Sequence, residues 1–220
     1  MLFGRRKKDR PISFQDNDRG LVLYRYGSDP EDLPLTAGSL ILVAPGQYIF
    51  IMKGNELTDV WDQGAYRLGP EMFPRLADIG AFRDTPYGPM DADLYFVTTD
   101  PVTERKWATR TPALVQEAGR VYRVRAYGTY DLRIHDVIGF ILDVFIDRGL
   151  KNTFEVTNFL ATRAAGAFTA TVSEMSVPVT EIINHPGEIS GLVKEKANRS
   201  LVGTGIELIN VLIEGTSLPD

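Results

Sequence analysis

Two histidines, His135 and His185, lie in separate segments of the 220-residue chain. An imidazole can move protons near neutral pH or hold zinc, but either task needs partner side chains within reach. Each histidine stands beside an expected helix start, where a capping or turn role accounts for it. Asp91 and Asp93 are a paired-carboxylate candidate ahead of a strand at Leu94. Two carboxylates at a loop edge can bind a divalent cation only with further oxygen ligands, and the same pair suits a solvated strand entrance. Gly187-Glu188-Ile189-Ser190-Gly191 has the wrong spacing for a nucleophile elbow, which puts serine centrally between two glycines. Gly203-Thr204-Gly205 lacks the third glycine of a dinucleotide loop and leads into a strand. No glycine-rich loop ends in lysine and serine or threonine. With no cysteine, disulfides and thiolate metal sites are excluded. Trp61-Asp62 stands alone without repeat periodicity, and Asn198-Arg199-Ser200 fits a glycosylation acceptor by chance. The residues point to no catalytic group, no metal and no cofactor.

Charge is more informative than reactivity. The chain carries −5 at neutral pH, which argues against nucleic acid as the main partner. Residues 1–10 hold Arg5, Arg6, Lys7, Lys8 and Arg10 against Asp9, so removing that +4 leaves −9 on the rest. Leu2 and Phe3 in front of the basic run can dip into a bilayer while Arg5 to Lys8 meet anionic headgroups. At about 1 kcal/mol per basic residue, such binding is marginal and reversible. An ordinary solubilising tail is the competing reading. A second basic set, Arg123, Arg125 and Arg133 with Tyr127 between, falls on one face of a strand. Three readings stand in order: a solvated face that also blocks edge pairing, a charged contact with a neighbouring subunit, and a track for a nucleic-acid backbone.

The elements that position these residues follow from periodicity. Residues 1–20 are polar and charged and read as a flexible lead, with no signal peptide and no membrane span; a soluble chain is expected. Leu21 to Tyr26, Leu40 to Val43, Gln47 to Met52, Leu57 to Trp61 and Ala65 to Leu68 are short strands with turn signals between them, as in an antiparallel meander. A helical turn is expected near Met72 to Leu76, a strand over Leu94 to Thr99, and a polar connection over Pro101 to Pro112. Tyr122 to Ile134 alternates strictly, with Tyr122, Val124, Ala126, Tyr130, Leu132 and Ile134 inward, which predicts a long strand buried on one side. Gly128 within it marks a bulge or a close backbone approach. His135-Asp136 caps a helix over Val137 to Arg148 that Gly149 stops. Asn152 and Glu155 resemble a capping box for a helix with Val156, Phe159, Leu160, Ala164, Ala167, Phe168, Thr171 and Val172 on one face. Pro178 opens a short turn, and Pro186 a helix with Ile189, Leu192, Val193 and Ala197 at helical spacing. Ile206 to Ile213 is a last strand that must return to the earlier sheet to bury its apolar face.

Several segments, in order, carry a family resemblance. They are Leu21-Val22-Leu23-Tyr24-Arg25-Tyr26, Asp59 to Tyr66, Leu94-Tyr95-Phe96-Val97-Thr98, Lys106-Trp107-Ala108-Thr109 and Val124 to Tyr130. From about Leu21 to Pro219 the chain resembles the band-7 (SPFH) superfamily of stomatin, prohibitin and flotillin, in its soluble bacterial virion-core-protein-like branch. Ala108 departs from the glycine expected after the tryptophan. The resemblance implies an α+β SPFH domain: an antiparallel β-rich first half, then an α/β half with helices packed on a sheet and a C-terminal strand returning to it. The expected divisions are a basic segment at 1–20, a β-rich subdomain at 21–118 and an α/β subdomain at 119–220. Trp107, Tyr127 and Tyr130 are expected to serve packing.

The resemblance also implies what the protein does. It implies a non-catalytic scaffold that forms homo-oligomers at an anionic membrane surface, cytoplasmic and peripheral to the inner face, alongside phage-shock-type stress proteins. Leu2, Phe3, Arg5, Arg6, Lys7 and Lys8 are the expected membrane contact, and Arg123, Arg125 and Arg133 the candidate subunit contact. Family members usually continue into a coiled-coil-forming segment. The sequence ends at Asp220, so either that segment lies outside it or assembly rests on the domain itself. Two other readings remain open: a structural protein of a virion- or phage-like particle, and an enzyme or small-ligand binder using a pocket between sheet and helices.

Overall fold

The computed structural model describes residues 10–15, 20–82, 90–175 and 178–218. The chain forms two compact units, Met1–Asp100 and Pro101–Asp220.

The first unit is built from short strands, because prolines and glycines interrupt every apolar run. β1 (Ile12–Ser13), β3 (Leu40–Val43) and β6 (Gly64–Arg67) make one three-stranded sheet in the order β1-β3-β6. β2 (Leu23–Arg25), β4 (Gln47–Lys53), β5 (Glu56–Trp61) and β7 (Asp93–Thr98) make a second, in the order β2-β7-β4-β5, with every pair antiparallel. The expected helical turn is α1 (Pro74–Asp78). Ile41, Ile49, Ile51, Phe73, Leu76 and Phe96 lie in one buried cluster. At about 25 cal/mol per Å² of apolar surface removed from water, such a cluster is the main force holding these short strands together.

The second unit is organised around one long strand. β8 (Val102–Ala108), β9 (Ala113–Glu117) and β11 (Ile206–Ser217) all pair antiparallel with β10 (Arg120–Ile134). β8 and β9 lie on one side of β10 and β11 on the other. The final strand therefore does return to the sheet, from Ile134 opposite Ile206 to Arg125 opposite Ser217. The α+β architecture is as expected, with α3 (Thr153–Glu174) and α5 (Pro186–Arg199) packed on the sheet. The short α4 (Val179–Asn184) precedes α5.

The lead expected over 1–20 carries β1, with Ile12 and Phe14 in the core, and the strands after it do not form the expected meander: within the first unit's sheets only β4 and β5 pair as sequence neighbours, and β1 runs parallel to β3. Three further local findings differ from the sequence reading. The polar connection at 101–112 is in fact β8. Its run Thr103-Glu104-Arg105-Lys106 hides the strand because Glu104 takes φ +57°, where the register with β10 shifts. The Asp131 carboxylate accepts a hydrogen bond from the Glu104 N–H at 2.8 Å, which fixes this bulge. The helix after Asp136 is α-helical only over α2 (Val137–Gly139) and continues as a π-helix over Phe140–Asp147. Its buried residues, Phe140, Ile141, Val144 and Phe145, recur at four. Four residues is close to one turn at either pitch, so the apolar pattern does not separate the two helices. In α5, Leu192 is 48% exposed and Ser190 is buried instead.

Helix caps follow the sequence more closely. Asp136 Oδ1 accepts from the Gly139 N–H at 3.0 Å, and Asn152 Oδ1 from the Glu155 N–H at 3.0 Å. The Glu155 carboxylate accepts from the Lys151 N–H at 2.6 Å, one residue before the position a capping box would use. Gly149, at φ +69°, follows the π-helix as its stop.

Candidate functional site

The second unit's sheet has two unlike faces. Inward, Val124, Ala126, Tyr130, Leu132 and Ile134 are buried beneath the helices. Outward stand Arg123, Arg125, Tyr127, Thr129, Asp131 and Arg133, all exposed or half-buried. Each face follows from the period of two along the strand.

Two glycines and two side chains, Trp107 and Thr109, hold this face in shape. Gly128 belongs to the inward row, and a Cβ there would overlap the Leu212 carbonyl of β11. The β10–β11 register shifts at that point, so Gly128 is both a bulge and a close approach. The buried Trp107 indole donates from Nε1 to the Leu212 carbonyl at 3.1 Å and stands 5.9 Å from the Phe168 ring of α3. At the other end, Gly205 combines φ +70° with a position where a Cβ would overlap the Asp136 carbonyl. Its own carbonyl accepts the His135 N–H at 2.9 Å, joining the start of β11 to the start of α2. The break between β8 and β9 is stitched by Thr109, whose hydroxyl accepts the Ala126 N–H at 3.1 Å.

The outer edge of β11 is sealed by α5 side chains one turn apart. Asn198 donates to the Leu208 carbonyl at 2.9 Å and accepts its N–H at 2.8 Å. Ser190 Oγ accepts the Ile213 N–H at 3.1 Å, and Lys194 Nζ donates to the Ile209 carbonyl at 3.4 Å. An edge strand left open is a template for foreign strands, and these bonds occupy it. The inward Ser190 thus has a backbone to bond, which explains why it replaces Leu192 in the interface.

The predicted site residues separate into groups. Arg133 forks onto Glu207 across the strands, with its Nε 3.0 Å from Glu207 Oε1. The guanidinium groups of Arg123 and Arg125 make no hydrogen bond or ion pair among the described residues. The structure thus brings all three to one face but leaves two of them without a partner among the described residues. Tyr127, expected in packing, is 56% exposed; its ring covers Gly215, where a Cβ would come within 2.7 Å of it. Tyr130 is buried, donates to the Thr157 carbonyl at 2.7 Å, and has its phenol pushed well above the usual range by burial. Leu2, Phe3, Arg5, Arg6, Lys7 and Lys8 lie outside the described residues.

The candidates for chemistry do not converge. His185 lies 3.6 Å from Glu181 and is exposed. Asp93 pairs with Arg25 at 2.7 Å, while Asp91 is exposed. Among the described residues no group of three His, Cys, Asp or Glu side chains could hold a metal. Burial raises the Asp59 carboxyl in the first unit and lowers the Lys151 ammonium in the second. A recess of about 690 Å³ opens between β8 and α3, with Trp107, Thr109, Thr162, Ala165 and Gly166 in its walls. Sequence reasoning missed Thr109 and the Ser190–Lys194–Asn198 row. Only the row's spacing of four, the helical repeat, gave any signal. No described helix is long and apolar enough to cross a membrane.

Comparison with known proteins agrees with this architecture. The chain is 24% identical over 144 residues to "Uncharacterized protein YdjI" of Bacillus subtilis (strain 168), covering 64% of this chain and 43% of that one. The match therefore spans less than half of the relative's length. Residues 23–220 match the SPFH domain-Band 7 family, so all of the second unit and most of the first are included, and the chain belongs to that family.

Proposed function

We propose that this SPFH-domain chain is a non-catalytic scaffold of the soluble, virion-core-protein-like bacterial branch. It self-associates and acts peripherally at the inner face of the cytoplasmic membrane, in envelope stress alongside phage-shock-type proteins. The observation that carries the reading is the uncovered outer face of the second unit's sheet. A sheet packed with helices on one side leaves the other to water or to a partner, and this one holds guanidinium groups with no partner among the described residues, beside half-exposed apolar side chains. The membrane contact is assigned to Leu2, Phe3, Arg5, Arg6, Lys7 and Lys8, where basic and apolar side chains stand together.

Flotation on vesicles containing anionic phospholipid tests the membrane half. Removing residues 1–10 is expected to abolish flotation, and salt to weaken it in the unaltered chain. Equal flotation with and without these residues removes the membrane assignment. Light scattering after size exclusion tests self-association. The recess between β8 and α3 favours a second reading, small-ligand binding, which a thermal-shift screen with apolar ligands would support by a raised Tm.

A further inference from the structure

Two cations with no partner among the described residues and two exposed aliphatic side chains stand together at one end of the outer face, on the β9–β10 hairpin. Leu114, 55% exposed, stands directly opposite Arg123. Val121, 58% exposed, and Arg125 lie two residues to either side of Arg123, so all four share a face. The hairpin is held by its Ala118-Gly119 turn, with both residues at positive φ, and by Glu117, whose carboxylate accepts the Val179 N–H at 3.1 Å. The backbone is thus fixed while the outward side chains stay free.

We propose that this hairpin face, with Leu114, Val121, Arg123 and Arg125, docks an acidic surface of a second copy of the same chain. The inference rests on the self-association proposed above and names the surface that carries it.

Charge identifies the occupant. Residues 105–133 hold seven bases against two acids, whereas residues 11–100 hold fourteen acids against six bases. One chain therefore offers both members of a complementary pair, and contact between two different patches joins copies head to tail. Arginine among exposed aliphatic side chains is also the composition of a protein interface. A flat anionic bilayer fits less well. Laid across the whole sheet face it would meet Asp131, Glu207 and Glu214 at the far end, where carboxylates already serve Glu104, Arg133 and Thr129. A protein partner confined to the hairpin avoids them.

The test is the mass of the full chain by light scattering after size exclusion, at low and high salt. The unaltered chain is expected to be oligomeric at low salt. Arg123→Glu with Arg125→Glu, and separately Leu114→Asp, should weaken association at least about tenfold. Arg133→Glu should leave the mass unchanged, and unaltered circular dichroism and Tm will show that the variants fold. If the unaltered chain associates and both hairpin variants keep its mass, this surface is wrong while self-association stands. A monomeric unaltered chain at the highest attainable concentration overturns self-association and this surface together. Loss of anionic-vesicle flotation with mass unchanged would make the hairpin a lipid contact and overturn the proposal as well.

Discussion

The two halves of β10 carry one alternation pattern and meet different surroundings. From Tyr127 to Ile134 the strand lies between β8 and β11, and its outward charges are answered. Arg133 has Glu207, Asp131 has the Glu104 N–H, and Thr129 has Glu214. From Arg120 to Val124 the strand pairs with β9, and β11 reaches it only from Arg125 onward. There Arg123 and Arg125 go unanswered among the described residues. Period two decides which face is buried, but the side chain standing opposite decides whether an outward cation is structural or free: Glu207 faces Arg133, whereas Ser217 faces Arg125 and Leu114 faces Arg123. The closed half should hold the unit's stability, and the open half should be tolerant of change.

The largest expected effect lies in the closed half at Gly128. Alanine there would drive a methyl into the Leu212 carbonyl, which is backbone and has no rotamer to yield. The strands must separate, at a cost of about 3 kcal/mol or more. For a protein of this size Tm should fall by about 10 °C, measured by calorimetry. A Gly128→Ala protein with unchanged Tm would mean the β10–β11 pairing is looser than described. Next in size is Trp107→Phe. It deletes the N–H that the Leu212 carbonyl accepts and removes part of the buried ring that packs on Phe168, so a loss of about 2 kcal/mol in urea unfolding is expected.

Tyr130 gives a smaller effect with a defined pH dependence. Its phenol is raised by burial above the unfolded value of about 10. The folded state keeps the proton where the unfolded state releases it, so stability falls as pH rises past about 10. Tyr130→Phe should cost about 1 kcal/mol near neutrality, through the lost bond to the Thr157 carbonyl. Because phenylalanine does not titrate, the gap between the two proteins should narrow in urea melts taken from about pH 9 to about pH 11. A constant gap would show that Tyr130 ionises as readily folded as unfolded.

Residues that state a rule by themselves were legible in the sequence. The alternation from Tyr122 to Ile134, the caps at Asp136 and Asn152, Gly128 and the returning last strand all follow from periodicity or backbone limits. Features that depend on what lies across the gap were not. β8 reads as polar because its bulge at Glu104 breaks the alternation, and the bulge is held by an aspartate 27 residues later. The seal at Ser190, Lys194 and Asn198 looks like an ordinary polar helix stripe until β11 is laid beside it. The outward arginines were visible as a set of three, but their division was not, since it depends on Glu207 arriving opposite Arg133.

That division can be measured where the stakes for stability are smallest. Arg133 and Glu207 are both partly exposed, at 48% and 35%. Water and salt screen such a pair, so breaking it costs no more than about 1 kcal/mol. Arg123→Ala and Arg125→Ala remove no intramolecular partner and should fall within about 0.5 kcal/mol of the unaltered chain. A double-mutant cycle over Arg133 and Glu207 should give a small positive coupling that shrinks as salt is raised, while Arg123 paired with Glu207 should give none. Equal coupling from both arginines would mean that cations in the open half are tied down no less than those in the closed half. The hairpin would then have no cations to spare for a second copy.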